Sequence, residues 1–280
     1  MFEIIKDPTF AERNIPLGIL EVTYPDRSAW DITKFYDLVH AELDALREKY
    51  ADYDRKAVFG ENPYFRFFKK FKKTYPVMQQ FESVMFKGRP FPEEDPVMGV
   101  PFLLELTTFV LSGTHDIDRM DGPLTIFTPS EKLPFLGMRA ASTHTYPKDI
   151  CGRDNSGIIF SMIAGADDRT CIHPDSRHVF HPVFGTPDTD KAVIENALRR
   201  LEFFVKVLAP MRSKSTSFSN EFTLRFSVFV RRLLRIQPIH SKKSLVQRAF
   251  LICAYFFSVF AKLSLRVTMR LNRPLSRSLQ

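Results

Sequence analysis

The chain has 280 residues, 44% of them hydrophobic, which suffices for a sizeable core in one large domain or in one domain with an appendage. Its net charge of +8 is unevenly spread: residues 211–280 hold 14 Lys and Arg against the single acid Glu221, while residues 1–210 hold 26 basic and 31 acidic residues. A mildly acidic body thus precedes a strongly basic tail, and that asymmetry points to an anionic partner for the tail, nucleic acid or a membrane surface. Three cysteines, Cys151, Cys171 and Cys253, form no C-x-x-C pair and do not make a disulfide framework. The N-terminus lacks the basic and apolar stretches of a signal peptide, and the apolar run from Ala249 to Ala261 is shorter than the roughly 20 residues a membrane span needs. The expectation is a cytoplasmic protein.

In chain order, Pro16 to Tyr24 reads as a strand from its alternating, β-branched character. Asp31 is a plausible N-cap for a helix from about Ile32 to Tyr50, whose apolar residues Phe35, Leu38, Val39, Leu43 and Leu46 recur at helical spacing. A second helical zone covers Tyr64 to Tyr75, and Pro76 opens another through Phe86. Lys87 to Gly99 reads as a loop and Val100 to Leu111 as a buried helix. Beyond Gly113 the texture turns to short strands, clearest at Leu124–Thr128, Gly157–Ala164 and His178–Phe184. Asp190 to Leu208 is an amphipathic helix with Ile194, Leu198, Leu201, Phe204 and Val205 on one face. The irregular order of helices and strands favours an α+β fold, a mixed sheet flanked by helices, over a doubly wound sheet.

Thr114 to Gly122 packs one His and three Asp into a short run, open to proton handling or to a capped turn. Gly165-Ala166-Asp167-Asp168-Arg169-Thr170 sits between strand-like segments, either lining a ligand site or forming an ordinary connection. His173, His178 and His181 read as solvated residues rather than zinc ligands, because strand alternation separates their rings. Phe65 to Lys73 interleaves aromatics and cations, as in some single-strand binders, and equally fits an amphipathic helix with a wet basic face. No P-loop, G-x-G-x-x-G, G-x-S-x-G or kinase motif is present.

Taken in order, these segments resemble the B3/B4 domain of the bacterial phenylalanyl-tRNA synthetase beta chain, and especially its freestanding relatives. The resemblance rests on Phe65-Arg66, Pro76, Phe81 to Gly88 and Pro96 to Leu111. It rests further on His115-Asp116-Ile117-Asp118-Arg119 ahead of Leu124 to Ile126, on Asp154 to Phe160, and on Asp168-Arg169-Thr170 through Asp175 to Phe180. It covers roughly residues 10 to 210. Such a resemblance implies hydrolysis of a mischarged aminoacyl-tRNA ester in trans, with tRNA or aminoacyl-tRNA as partner and no metal or other cofactor. It further implies a pocket between Gly113–Asp118 and Gly165–Thr170. There His115 or Asp116 would orient water or the substrate amino group, Asp168 would pair with that amino group, and Arg169 would steady a phosphate or a neighbouring carboxylate. Gly113, Asp118, Gly165 and Thr170 would complete the substrate-binding wall. The synthetase's editing histidine aligns with Gly113 rather than His115, and its pocket Glu with Asp168, so a non-catalytic RNA- or tRNA-binding module stays open.

Nothing in the resemblance covers residues 211–280. In this basic, Phe-rich tail Phe222 to Ile236 fits helix or strand and Leu245 to Leu271 reads as a basic helix, suited to an anionic membrane surface or to RNA, and equally to docking on the body or to disorder.

Overall fold

A computed structural model describes residues 2–209 and, as backbone, residues 213–218; the remainder of the expected tail lies outside them. The elements run β1 (Ile4–Lys6), α1 (Pro8–Ala11), β2 (Leu17–Thr23), α2 (Ile32–Lys49), α3 (Arg55–Phe59), α4 (Pro63–Lys70), α5 (Pro76–Phe86), α6 (Pro96–Thr108) and β3 (His115–Asp116). They continue with β4 (Leu124–Phe127), β5 (Pro134–Gly137), β6 (Ala141–His144), β7 (Cys151–Asp154), β8 (Gly157–Ser161), β9 (Gly165–Ala166), β10 (His178–Phe184), α7 (Lys191–Leu208) and β11 (Ser213–Phe218). The fold is α+β, with helices concentrated in the first half and strands in the second.

Helix boundaries follow local chemistry. Asp31, Asp54, Asn62, Asp95 and Asp190 each accept a backbone N–H at a helix start, which satisfies one of the four donors a helix end leaves bare. Pro63, Pro76 and Pro96 stand at first helical positions, where a missing N–H costs nothing. The Asp95-Pro96 pair starts α6 inside the stretch the sequence reading gave to a loop. Conversely, α4 ends at Lys70, earlier than expected, because Lys72 turns left-handed at φ 56° and the Lys73 N–H folds back onto the Phe68 carbonyl at 3.1 Å.

Two principal sheets carry the second half. One has the order β1-β4-β7-β8-β9, with β1 parallel to β4 and the other pairs antiparallel; the second has the order β11-β2-β10-β3 and is antiparallel throughout. A separate hairpin pairs β5 with β6. Strand β2 lies centrally in its sheet, with β10 on one side and β11 on the other, so residues 213–218 continue this sheet. Helix α7 packs against β2, and Gly18 permits the approach: a Cβ there would lie 2.6 Å from Leu198 Cδ1. The expected α7 face, Ile194, Leu198, Leu201, Phe204 and Val205, is buried as a set. The helical half closes over an aromatic cluster in which Phe81 meets Phe59, Phe86, Phe109, Tyr50 and Tyr53 at ring-centroid distances of 5.0 to 6.1 Å.

Candidate functional site

Strand β3 is only two residues long, yet it fixes one wall of the site. Its His115 pairs with Phe180 and its Asp116 with Val179 on strand β10, which is buried from Val179 to Phe184. The His115 ring stacks on Phe180 at 5.0 Å, tilts against Phe160 at 5.4 Å, and is 1% exposed. Its Nδ1 and the Thr170 hydroxyl lie 2.9 Å apart, and that hydroxyl donates to Asp167 Oδ1. Asp167, Thr170 and His115 thereby form one buried chain of hydrogen bonds. The backbone closes the same contact, with the Asp116 N–H donating to the Thr170 carbonyl at 2.9 Å. Burial drives the His115 pKa down to about 3, helped by the neighbouring His181, so the ring is neutral at ordinary pH. Burial also raises the Asp167 carboxyl above its usual value, against the hydrogen bonds from Thr170. No described residue bonds to His115 Nε2, which faces Gly113; a Cβ built on Gly113 would lie 3.8 Å from it.

Asp116 is 3% exposed and fully engaged: Oδ1 accepts from the Asp118 N–H at 3.0 Å, and Oδ2 accepts from the Ser176 hydroxyl at 2.5 Å with Arg119 Nε at 3.4 Å. Its side chain caps the 3-10 turn of residues 117–119, in line with the turn reading of this run. Asp118 faces outward and meets His178 Nδ1 at 3.3 Å, while His178 Nε2 meets Glu21 at 3.0 Å.

The opposite wall is the turn after β9. Gly165 takes φ +100°, a conformation that side chains rarely adopt, where the chain turns back from β8 to pair with it as β9. Arg169 is held by Asp154 through two contacts of 2.9 Å, donates to the Arg119 carbonyl at 2.7 Å, and stands 3.8 Å from Asp167. Burial alone would raise the Asp154 carboxyl, but N–H donors from Asp121 and Ser156 together with the Arg169 guanidinium outweigh it and hold it low. Arg169 therefore ties β7 to the 3-10 turn. Asp168 differs from every other acid here: it is half-buried, and among the described residues its carboxylate has no hydrogen-bond or ion-pair partner. Its N–H donates to the Leu136 carbonyl at 3.1 Å, which sets the β5–β6 hairpin along the rim, with Leu136 and Met138 more than half exposed at 59% and 54%.

The fold thus joins β3 to the turn after β9 through Thr170, which meets His115 by its hydroxyl and Asp116 by its carbonyl, and through Arg169, which reaches the Arg119 carbonyl. Gly113 lies beside His115, Asp118 turns to His178, Gly165 pairs with β8, and Asp168 is tied by its N–H to Leu136. One expectation is corrected: His181 is not solvated. It is fully buried, with Nδ1 2.9 Å from the Thr114 hydroxyl, no described partner for Nε2, and a pKa driven down to about 4 by burial. Sequence reasoning included Asp167 only within the Gly165–Thr170 run, with no role of its own, and passed over Ser176. Asp167 continues the β9 pairing through its N–H to the Ile159 carbonyl at 2.8 Å, so strand alternation turns it inward and leaves Asp168 at the rim. β9 is too short for that alternation to show in the sequence, and Ser176 carried no signal either. Among the described residues, no group of three or more His, Cys, Asp or Glu is placed to hold a metal, and no helix is long and apolar enough to cross a membrane.

The sequence matches no protein-family model and no curated protein. Among solved structures it is similar to an N-terminal fragment of the phenylalanyl-tRNA synthetase beta-subunit from Pyrococcus horikoshii, at a TM-score of 0.39 and 8% identity, covering 79% of this chain. The alignment spans 55% of that fragment, so the chain accounts for about half its length. This is a weak structural likeness.

Proposed function

We propose that the chain is a tRNA-interacting protein that hydrolyses the ester of mischarged aminoacyl-tRNA in trans. The observation that supports this most is the meeting of two sequence segments 55 residues apart, His115–Arg119 and Asp168–Thr170, through the His115–Thr170 side-chain bond. Both segments carry the resemblance to the editing domain, and Thr170 joins them. Asp168, with its unengaged carboxylate, pairs with the protonated α-amino group of the attached amino acid. Neutral His115, fixed by Thr170, orients the attacking water through Nε2; its low basicity suits orientation rather than storage of a proton. The water oxygen bonds to the ester carbonyl carbon, the bond to the terminal ribose oxygen breaks, and that oxygen leaves with a proton as the free hydroxyl. Asp116 and Arg169 hold the two walls, because their polar atoms are already taken up. Leu136 and Met138 on the hairpin offer an apolar lip to the amino-acid side chain, and discrimination follows from its fit.

A second reading has its own observation. His115 is 1% exposed, which favours a module that binds tRNA without turning it over. Deacylation of a panel of correctly and wrongly charged tRNAs by the full chain, with EDTA present, separates the two. The hydrolase reading predicts selective cleavage that falls about 10²-fold or more in a folded Asp168→Ala variant. Salt-sensitive tRNA affinity without cleavage of any ester selects the binding module, and neither cleavage nor affinity overturns both.

A further inference from the structure

We infer that a basic, aromatic-centred surface beside the hairpin binds the phosphate backbone of the RNA whose charged end enters the site; this rests on the tRNA reading above. Two segments distant in sequence build it. Residues 63–75 and 132–148 contain no acidic residue, although acids outnumber bases over residues 1–210. Lys69, Lys70, Lys72 and Lys73 are all exposed on and after α4, as are Lys132, Arg139 and Lys148, and among the described residues none of the seven has an ion-pair partner. Tyr146 joins the two segments. Phe71 meets it edge-on at 5.9 Å, Lys73 Nζ lies 5.5 Å from its ring, and His144 packs on it at 4.9 Å. Lys148 is fixed close by, as its carbonyl accepts from Arg13 Nη1 at 2.7 Å.

The four lysines keep their charges clear of carboxylates in a body that is acidic overall. Like charges gathered this way repel one another, an anion brought from outside relieves that repulsion, and a run of phosphates fits a row of separated ammonium groups. The hairpin supplies the connection to the site. Gly137 bridges to Asp167 at its turn end, and Tyr146 follows β6 just beyond its other end. At strand rise, the five steps from Ala141 to Tyr146 span roughly 16 Å, so one strand of RNA reaches both. The interleaved Phe and Lys of α4 thus have a division of labour: Phe67 and Phe68 fill the core while the lysines face outward.

The test measures affinity of the full chain for uncharged tRNA across a salt series. A patch variant, Lys69→Gln/Lys72→Gln/Lys73→Gln, is compared with a charge-matched control on α2 and α3, Lys34→Gln/Lys49→Gln/Lys56→Gln. Each phosphate contact adds about 0.7 to 0.9 to the slope of log affinity against log salt, so the patch variant loses about 2 from that slope and at least about tenfold in affinity. The control stays within about twofold of the unaltered chain. Equal losses in the two variants overturn the inference, because they reflect net charge alone. Binding to phosphatidylserine vesicles that falls in the patch variant while tRNA affinity holds also overturns it and assigns the surface to a membrane. An unaltered chain that cleaves charged tRNA, with a patch variant that binds and cleaves equally well, refutes this inference and leaves the proposed function standing. An unaltered chain without any tRNA affinity refutes both.

Discussion

The helical half and the sheet edge bury their residues equally deeply and by opposite means. Around Phe81 the interior is a continuous ring cluster of Phe59, Tyr75 and Phe109, each held by apolar area removed from water and by edge-on ring contacts. Around His115 the interior is polar, and Asp167, Thr170, Asp116 and Ser176 are tolerated because each one finds a partner. Apolar packing has no preferred direction, whereas a hydrogen-bonded chain sets the orientation of each member. The first region therefore supplies stability, and the second supplies fixed positions at the rim.

The sharpest way to break the comparison is Phe81→Ala, which should cost about 3–5 kcal/mol in denaturant unfolding while leaving tRNA affinity unchanged where the protein remains folded. Glu105 tests it from within the helical half. This carboxyl is 5% exposed, accepts from the Ser112 N–H and hydroxyl, and is pushed by burial from 4.5 up to about 7. A raised carboxyl pKa favours the folded state at low pH. Its contribution is complete below pH 4.5 and is lost as the pH rises to about 7, an effect of about 3 kcal/mol. Glu105→Gln should remove that part of the pH dependence, read as denaturation midpoints at pH 5 and pH 7.5. His115 and His181 act in the reverse sense: their depressed values stabilise the fold above pH 6.5, and this is lost as the pH falls towards about 3 and 4. Thr170→Val removes the shared hydroxyl, leaves His115 Nδ1 and Asp167 Oδ1 each without that partner, and should cost about 2 kcal/mol while lowering turnover more than it raises KM. The smallest expected effect is Asp95→Ala at the start of α6, about 1 kcal/mol with no change in activity.

Legibility in the sequence followed the same division. Helices α2, α5 and α7 and strands β2 and β10 were readable to within a residue or two, because apolar periodicity and Asp or Pro at their starts act locally. Strands β3, β5, β6, β7 and β9 were not separately recognised, since two- to four-residue strands are too short for alternation to register. The two chemistry-bearing segments stood out by residue type. Which acid does what did not, because Asp116 and Arg169 are occupied by Ser176 and Asp154, partners that only the tertiary fold brings near. Asp167 and Asp168 are neighbours of identical type, and the β9 register alone turns one inward and leaves the other at the rim.

The central claim is that Asp168 reads the amino group of an ester held beside His115. The most direct measurement compares hydrolysis of a cleaved aminoacyl-tRNA with that of its N-acetylated form, by the unaltered full chain and by Asp168→Asn. The account predicts that N-acetylation protects the ester from the unaltered chain, and that Asp168→Asn lowers kcat/KM on the free-amine ester towards the acetylated level. Equal cleavage of both esters by both proteins would contradict it.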